Sequence, residues 1–259
     1  MIIKKTPKQI ERMFAAGQAL AEVIRLIGEA VRPGVSTSEL DELAEQLIRE
    51  RRGVPSFLGY RGFPGSICAS PNEVIVHGIP DERVLKEGDV LSADVGLILD
   101  GWHADSAYTY AVGEIGSEAQ RLLELTEASL YAGIDQCRPG NHLSDISHAV
   151  EEVVTEAGLS VVREFVGHGI GRQLHEDPQI PNFGPPGRGP LIEAGMVFAI
   201  EPMVNAGGWK TRTLDDGWTV MTADGSLSAH FEHTVAVTPM GPHILTRQAQ
   251  REPARQGRR

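Results

Sequence analysis

The chain has 259 residues, with 24 Lys and Arg against 35 Asp and Glu, for a formal net charge of −11 at neutral pH. With 41% apolar and 23% charged residues, its composition is that of a globular protein, not a disordered or collagen-like one. The acidic balance disfavours a broad phosphate-binding face, so no DNA partner is expected, and no apolar run approaches the ~18 residues of a membrane-spanning helix.

Apolar residues at Ile10, Met13, Phe14, Gly17, Leu20, Ala21, Ile24, Ile27 and Val31 follow helical spacing and predict one amphipathic helix. Arg32-Pro33-Gly34 ends it, and Ser36 to Ser38 offer N-caps for a second helix carrying Leu40, Leu43, Leu47 and Ile48. From Val54 to Tyr110, short apolar runs punctuated by Gly, Pro and Asn read as strands and turns. The helical pattern returns over Ser117 to Cys137, stops at Arg138-Pro139-Gly140 and resumes from Ser144; strands follow to about residue 246.

Helix, helix, strands thus occurs twice. Arg32-Pro33-Gly34 overlies Arg138-Pro139-Gly140 at an offset of 106, and Gly88 to Asp94 overlies Gly195 to Glu201 at 107. His103-Ala104-Asp105 overlies His230-Phe231-Glu232 at 127, the jump being taken up by a turn-rich Asn205 to Asp224. Two of these matches set a carboxylate over a carboxylate, favouring a duplicated half-domain over coincidental α/β punctuation.

Asp100-Gly101 is a two-residue hairpin signal. If Leu99 pairs with Trp102, Asp94 faces Ala107 and Asp105 faces Gly96, which makes Asp94 and Asp105 diagonal neighbours on one face. Taken alone, such a pair suits either two solvent-facing acids or a cation site. Glu201 and Glu232 bound apolar strands, where an unpaired carboxylate is costly. With His168 they complete a set rich in hard oxygen and suited to two divalent metals. Gly167-His168-Gly169-Ile170-Gly171 makes a poor phosphate cradle, because no Lys-Ser/Thr follows. Taken singly, His168 reads as a satisfied loop residue, and His77 and His175 as structural histidines.

Together, His77-Gly78-Ile79-Pro80, Asp94 with Asp105, Gly167 to Gly171, His175-Glu176-Asp177-Pro178, Glu201-Pro202-Met203 and Glu232-His233-Thr234 resemble the type I methionine aminopeptidases, in that family's order, from about Thr6 to Leu245. The resemblance implies an α/β (α+β) pita-bread fold: two pseudo-twofold-related half-domains with antiparallel sheet and flanking helices. It implies Asp94 as ligand of one metal, His168 and Glu201 as ligands of the other, and Asp105 and Glu232 as bridges. The metals would be cobalt, manganese, iron or zinc. A metal-activated hydroxide would attack the peptide carbonyl, with Glu201 as proton shuttle, His175 on the oxyanion and His77 on the scissile amide nitrogen. A methionine pocket is implied at Tyr60, Phe63, Cys68, Leu174 and Trp218; Phe63 stands where the family has Tyr, and Leu174 where an aromatic residue is common. Asn72, Val74 and Ser228 match a monovalent-cation site for sodium or potassium.

The expected protein is a monomer, one catalytic domain over 1–246 (half-domains about 7–113 and 114–246), acting on peptide N-termini that begin with Met and prefer a small second residue. A metal-free binding module of the same fold would lose metal ligands, and a peptidase of different specificity is the other alternative. Two cysteines, Cys68 and Cys137, form no disulfide framework, and no signal-like stretch precedes Lys8, Glu11 and Arg12, so a cytoplasmic location is expected. Residues 247–259 carry a net +4, leaving −15 for the rest, and read as a disordered basic tail or as a transient ribosome contact.

Overall fold

The computed structural model describes residues 1–247. Helix α1 (Pro7–Ala30) opens with a capping box, in which Thr6 accepts from the backbone of Gln9 and the Gln9 side chain accepts from the backbone of Thr6. Met13, Leu20 and Ile27 of its apolar stripe are fully buried. Phe14 belongs to the same periodic pattern but lies at the edge of the stripe, 38% exposed and against His243. Helix α2 (Thr37–Glu50) repeats the device with Ser36 and Glu39.

Strands β1 (Val54–Pro55), β2 (Ile67–Pro71), β3 (Val74–Val76), β4 (Val90–Leu99) and β5 (Trp102–Ala111) follow. The β4–β5 hairpin has the register read from its turn, with Leu99 opposite Trp102 and Asp94 opposite Ala107. The second helical pair is α3 (Ser117–Asp135) and α4 (Leu143–Glu156). The latter starts just before Ser144, because the His142 backbone N–H finds Asp145 at 2.7 Å and fixes the first turn there.

The remaining strands are β6 (Ser160–Val161), β7 (Gly167–Gly169), β8 (Glu176–Ile180), β9 (Val197–Ile200), β10 (Met203–Asn205), β11 (Thr211–Thr213), β12 (Val220–Thr222), β13 (Ser228–His230), β14 (His233–Thr238) and β15 (Gly241–Ile244). A four-stranded sheet runs β1-β4-β2 with β5 beside β4; a five-stranded one runs β15-β14-β9-β7-β8. Two three-stranded sheets, β13-β10-β6 and β11-β12-β3, complete the set, and the pairings are antiparallel. The stretch 205–224, read as turns, instead forms the β11–β12 hairpin, which pairs with β3.

Each helical pair covers the sheet next to it. Leu20, Ile27, Leu40 and Ile48 pack with Ala93, Val95 and Leu97; Leu122, Leu130, Ile146 and Val154 pack with Phe198, Ile200 and Val235. Burying a side chain of this size contributes about 1.5–3 kcal/mol. The two sheets meet along β5 and β14 through hydroxyls. Thr234 Oγ1 accepts from the Asp105 backbone N–H at 2.9 Å and donates to the Asp105 carbonyl at 2.8 Å. Thr109 of β5 bonds both backbone groups of His230, at the end of β13, in the same way. The Glu232 N–H donates directly to the Ala107 carbonyl at 2.9 Å.

Candidate metal centre and substrate cleft

Along one hairpin of the second half, His233 pairs with Ile200 and Met203 with His230, so the ladder breaks at Glu201-Pro202 opposite Phe231-Glu232. Proline has no N–H to offer a ladder. The break leaves Glu201 and Glu232 outside regular pairing and turns them into a cavity of about 350 Å³, which Asp94, Asp105 and His168 also line. All five predicted metal-ligating positions therefore surround one space.

His168 sits in strand β7, paired with Ala199 and Gln179, not in a loop. Its flanking glycines permit that packing. A Cβ on Gly167 would lie 2.5 Å from the Ala199 carbonyl oxygen, and one on Gly169 would lie 2.1 Å from that of Asp177. The His168 Nδ1 donates to the Gly169 carbonyl at 2.9 Å, leaving the Nε2 lone pair facing the cavity. Nε2 lies 3.5 Å from Glu201 Oε1 and 4.0 Å from Asp105 Oδ2. Ligand atoms of Asp105, His168 and Glu232 lie within 4.8 Å of one another.

These groups have no cation of the chain to balance them: Arg61, at the mouth, is the one Lys or Arg lining the cavity among the described residues. Burial pushes the Asp94 carboxyl up to about 7. Burial, followed by repulsion from neighbouring carboxylates, raises Asp105, Glu201 and Glu232 well above the usual range. Burial lowers His168 to about 3, so its imidazole is neutral. Asp94 Oδ1, Asp105 Oδ1 and Glu232 Oε1 are buried without a hydrogen-bond partner. Orphaned oxygens, neutral imidazole and mutual repulsion are each relieved by divalent cations, and the donor set fits such ions.

The predicted catalytic histidines His77 and His175 and the predicted methionine-pocket residues line the same cavity. His77 has φ +59°, a strained conformation for a side chain with a Cβ, and its ring meets Phe165 and Trp218 edge-on. Gly78 beside it admits no Cβ, which would lie 2.1 Å from the Ala69 carbonyl oxygen. The Tyr60 hydroxyl lies 2.8 Å from His175 Nδ1. Phe63, Cys68 and Leu174 form an apolar floor, with Trp218 edge-on to Phe63 at 5.2 Å. Trp218 arrives on the β11–β12 hairpin, where Asp216 accepts from its backbone N–H and from that of Thr219.

Asn72, Val74 and Ser228 lie apart from this cavity, at the meeting of the β2–β3 turn and β13, where the Ser228 N–H donates to the Asn72 carbonyl at 2.9 Å. Phe165 and His230 are among the residues that enter the site unannounced. Phe165 walls the cavity beside His77, and no spacing in the sequence marks it. His230 is buried, its Nε2 unpaired and 3.9 Å from Glu201 Oε2. Its place two residues before Glu232, within the repeat, was the available signal.

A cluster of Asp94, Asp105, Glu201, Glu232 and His168 at the seam of two similarly built halves defines a class, the metallopeptidases of this two-half fold. The chain belongs to metallopeptidase family M24, whose profile matches residues 11–239. It is 54% identical over 247 residues to "Methionine aminopeptidase 1" of Bacillus subtilis, covering 95% of this chain and all of that one. The crystal structure of methionine aminopeptidase from Rickettsia prowazekii superposes with a TM-score of 0.94 at 44% identity, covering 95% of this chain and 100% of that one. An Xaa-Pro dipeptidase from Bacillus anthracis shares the pita-bread fold with a TM-score of 0.75 at 22% identity, and this chain spans 62% of its length.

Proposed function

We propose that the chain hydrolyses the first peptide bond of polypeptides that begin with methionine, preferring a small second residue, in a divalent-metal-dependent reaction. The observation that carries this reading is the confluence of five metal-ligand-type side chains and an apolar, aromatic-walled recess in one cavity. Asp94, Asp105, His168, Glu201 and Glu232 would hold two divalent metals. Cobalt, manganese, iron and zinc all suit the donors. When bound, the metals supply Lewis acidity and a water of lowered pKa.

The protein's own groups do the rest. Tyr60, Phe63, Cys68, Leu174 and Trp218 receive the methionine side chain, which suits soft and aromatic contacts. Glu201 accepts a proton from the attacking water and returns it to the leaving nitrogen. Burial, then repulsion by His175, holds His77 down to about 4; the neutral ring can accept from the scissile amide N–H. Burial, then the Arg61 charge, also lowers His175. With the Tyr60 hydroxyl donating to Nδ1, its Nε2–H is free to donate to the developing oxyanion.

A sodium or potassium ion at Asn72, Val74 and Ser228 is supported by the contact between the first and last of these residues. Residues 1–246 are taken as one catalytic domain of two halves (about 7–113 and 114–246), supported by the backbone and hydroxyl bonds along β5 and β14. The protein is read as a cytoplasmic monomer. Ribosome contact through the Arg-rich segment 247–259 rests on its charge alone; apart from Arg247 that segment, including its expected disorder, lies outside the described residues. Comparing release from Met-Ala-Ser, Leu-Ala-Ser and Met-Leu-Ser tests the function: turnover of the first alone supports it, and equal turnover of the first two overturns it.

A further inference from the structure

Among the Lys and Arg ion pairs described, Lys5 and Glu176 stand apart. Their side chains are 3% and 4% exposed, whereas each of the others has a partner more than half exposed. A buried pair contributes little to stability as a rule, since desolvation offsets its attraction. Its location is therefore the informative feature. Glu176 directly follows His175, and its carboxylate is fully used: Oε2 meets Lys5 Nζ at 2.7 Å, and Oε1 accepts from the backbone N–H groups of Arg172 and Gln173 at 2.8 and 3.2 Å.

One carboxylate thus closes the turn that carries Leu174 and His175. The turn is fixed from other directions too. A Cβ on Gly171 would lie 2.5 Å from Glu176 Oε1 and 2.7 Å from Lys5 Cε, so the pair packs against bare backbone. The Gly171 carbonyl accepts from the His103 N–H at 2.9 Å, tying the turn to β5. Lys5 is itself anchored, its backbone N–H donating to the Gly195 carbonyl at 2.7 Å. Nothing else in the account of the reaction uses this pair, although it joins residues 171 positions apart.

We propose that Lys5 and Glu176 are positioning residues for His175: the segment before α1 clamps the turn, so that the imidazole meets the Tyr60 hydroxyl and presents Nε2 to the substrate carbonyl. The inference rests on the catalytic role given to His175 above. It predicts that the turn, not the fold, loosens when the clamp is removed.

The test uses the full-length K5M/E176Q protein, which leaves no lone buried charge and keeps the acceptor for Arg172 and Gln173. Turnover of Met-Ala-Ser should fall about tenfold to a hundredfold with KM and bound metal unchanged, as small misplacements do. In metal-free protein labelled with ¹⁵N-histidine, the His175 Nδ1 resonance should lose its hydrogen-bonded position. Added to His175→Ala, the same double change should lower kcat no further. Wild-type kcat with an unmoved resonance, or a full additional loss on top of His175→Ala, overturns the proposal. Were His175→Ala itself to leave kcat intact, the catalytic reading would fail, and the resonance alone would still decide the clamp.

Discussion

Asp94 and Asp105 stand two positions out of direct register on neighbouring strands, Asp94 opposite Ala107 and Asp105 opposite Gly96. This diagonal sets both carboxyls into one cavity, and the β5–β14 seam brings Glu232 to the same space. Repulsion there is the energetic cost of building a metal centre before the metal arrives. In chelated protein it should appear as a pH effect. The folded-state carboxyls are raised, Asp94 to about 7, so between the unfolded values near 4 and the folded ones the native state binds more protons. Buried histidines with lowered values, His77 and His168 among them, act in the opposite sense below their unfolded value near 6.5, so stability of the metal-free protein should fall as pH rises from about 6.5 through 7 and above, where the carboxyls alone still release protons. Urea melts of chelated protein across that range check the sign.

Manganese or cobalt added to the chelated protein should raise the melting temperature, because the ions bind the folded arrangement and not the dispersed carboxylates of the unfolded chain. The gain should be greater at pH 7.5 than at pH 5, where protons compete with the ions. Scanning calorimetry at both pH values reads it, and a pH-independent gain would contradict the assigned ligands.

Glu201→Ala should lower turnover of Met-Ala-Ser by a factor of about 10² or more, the scale of a lost proton carrier, while circular dichroism stays unchanged. His175→Ala should cost about 10²–10³ in kcat, the scale of one oxyanion donor. Metal content by emission spectrometry should not change, because His175 bonds Tyr60 and lies outside the ligand cluster.

Gly169→Ala would drive a methyl group to within 2.1 Å of the Asp177 carbonyl oxygen. Overpacking of this kind costs about 1–3 kcal/mol, and β7 should shift and take His168 with it. Denaturant melts of metal-free protein should show the destabilisation, and isothermal titration should show weakened metal uptake.

Much of the hairpin chemistry was legible in the sequence, because a two-residue turn and strict alternation fix a register without knowledge of the rest of the fold. The doubled order of helices and strands was legible for a similar reason: periodicity is local. Contacts across the fold leave no such trace. Neither the Thr234 hydroxyl stitching Asp105 to the other half nor Lys5 reaching Glu176 disturbs any pattern of spacing. The β11–β12 hairpin was hidden because Gly207, Gly208 and Gly217 with Asp215 and Asp216 read as turns, and its strands are three residues each. His168 looked like a loop residue because its glycines serve close strand packing, a requirement that is visible only once β8 and β9 are in place.

The proposed reaction requires divalent metal, held by these five side chains, to release N-terminal methionine. Exhaustive chelation followed by stepwise re-addition of manganese, cobalt, iron or zinc, with Met-Ala-Ser hydrolysis followed throughout, tests it most directly. Activity should vanish with the metal and return on re-addition. Full activity in protein shown to be metal-free would contradict it.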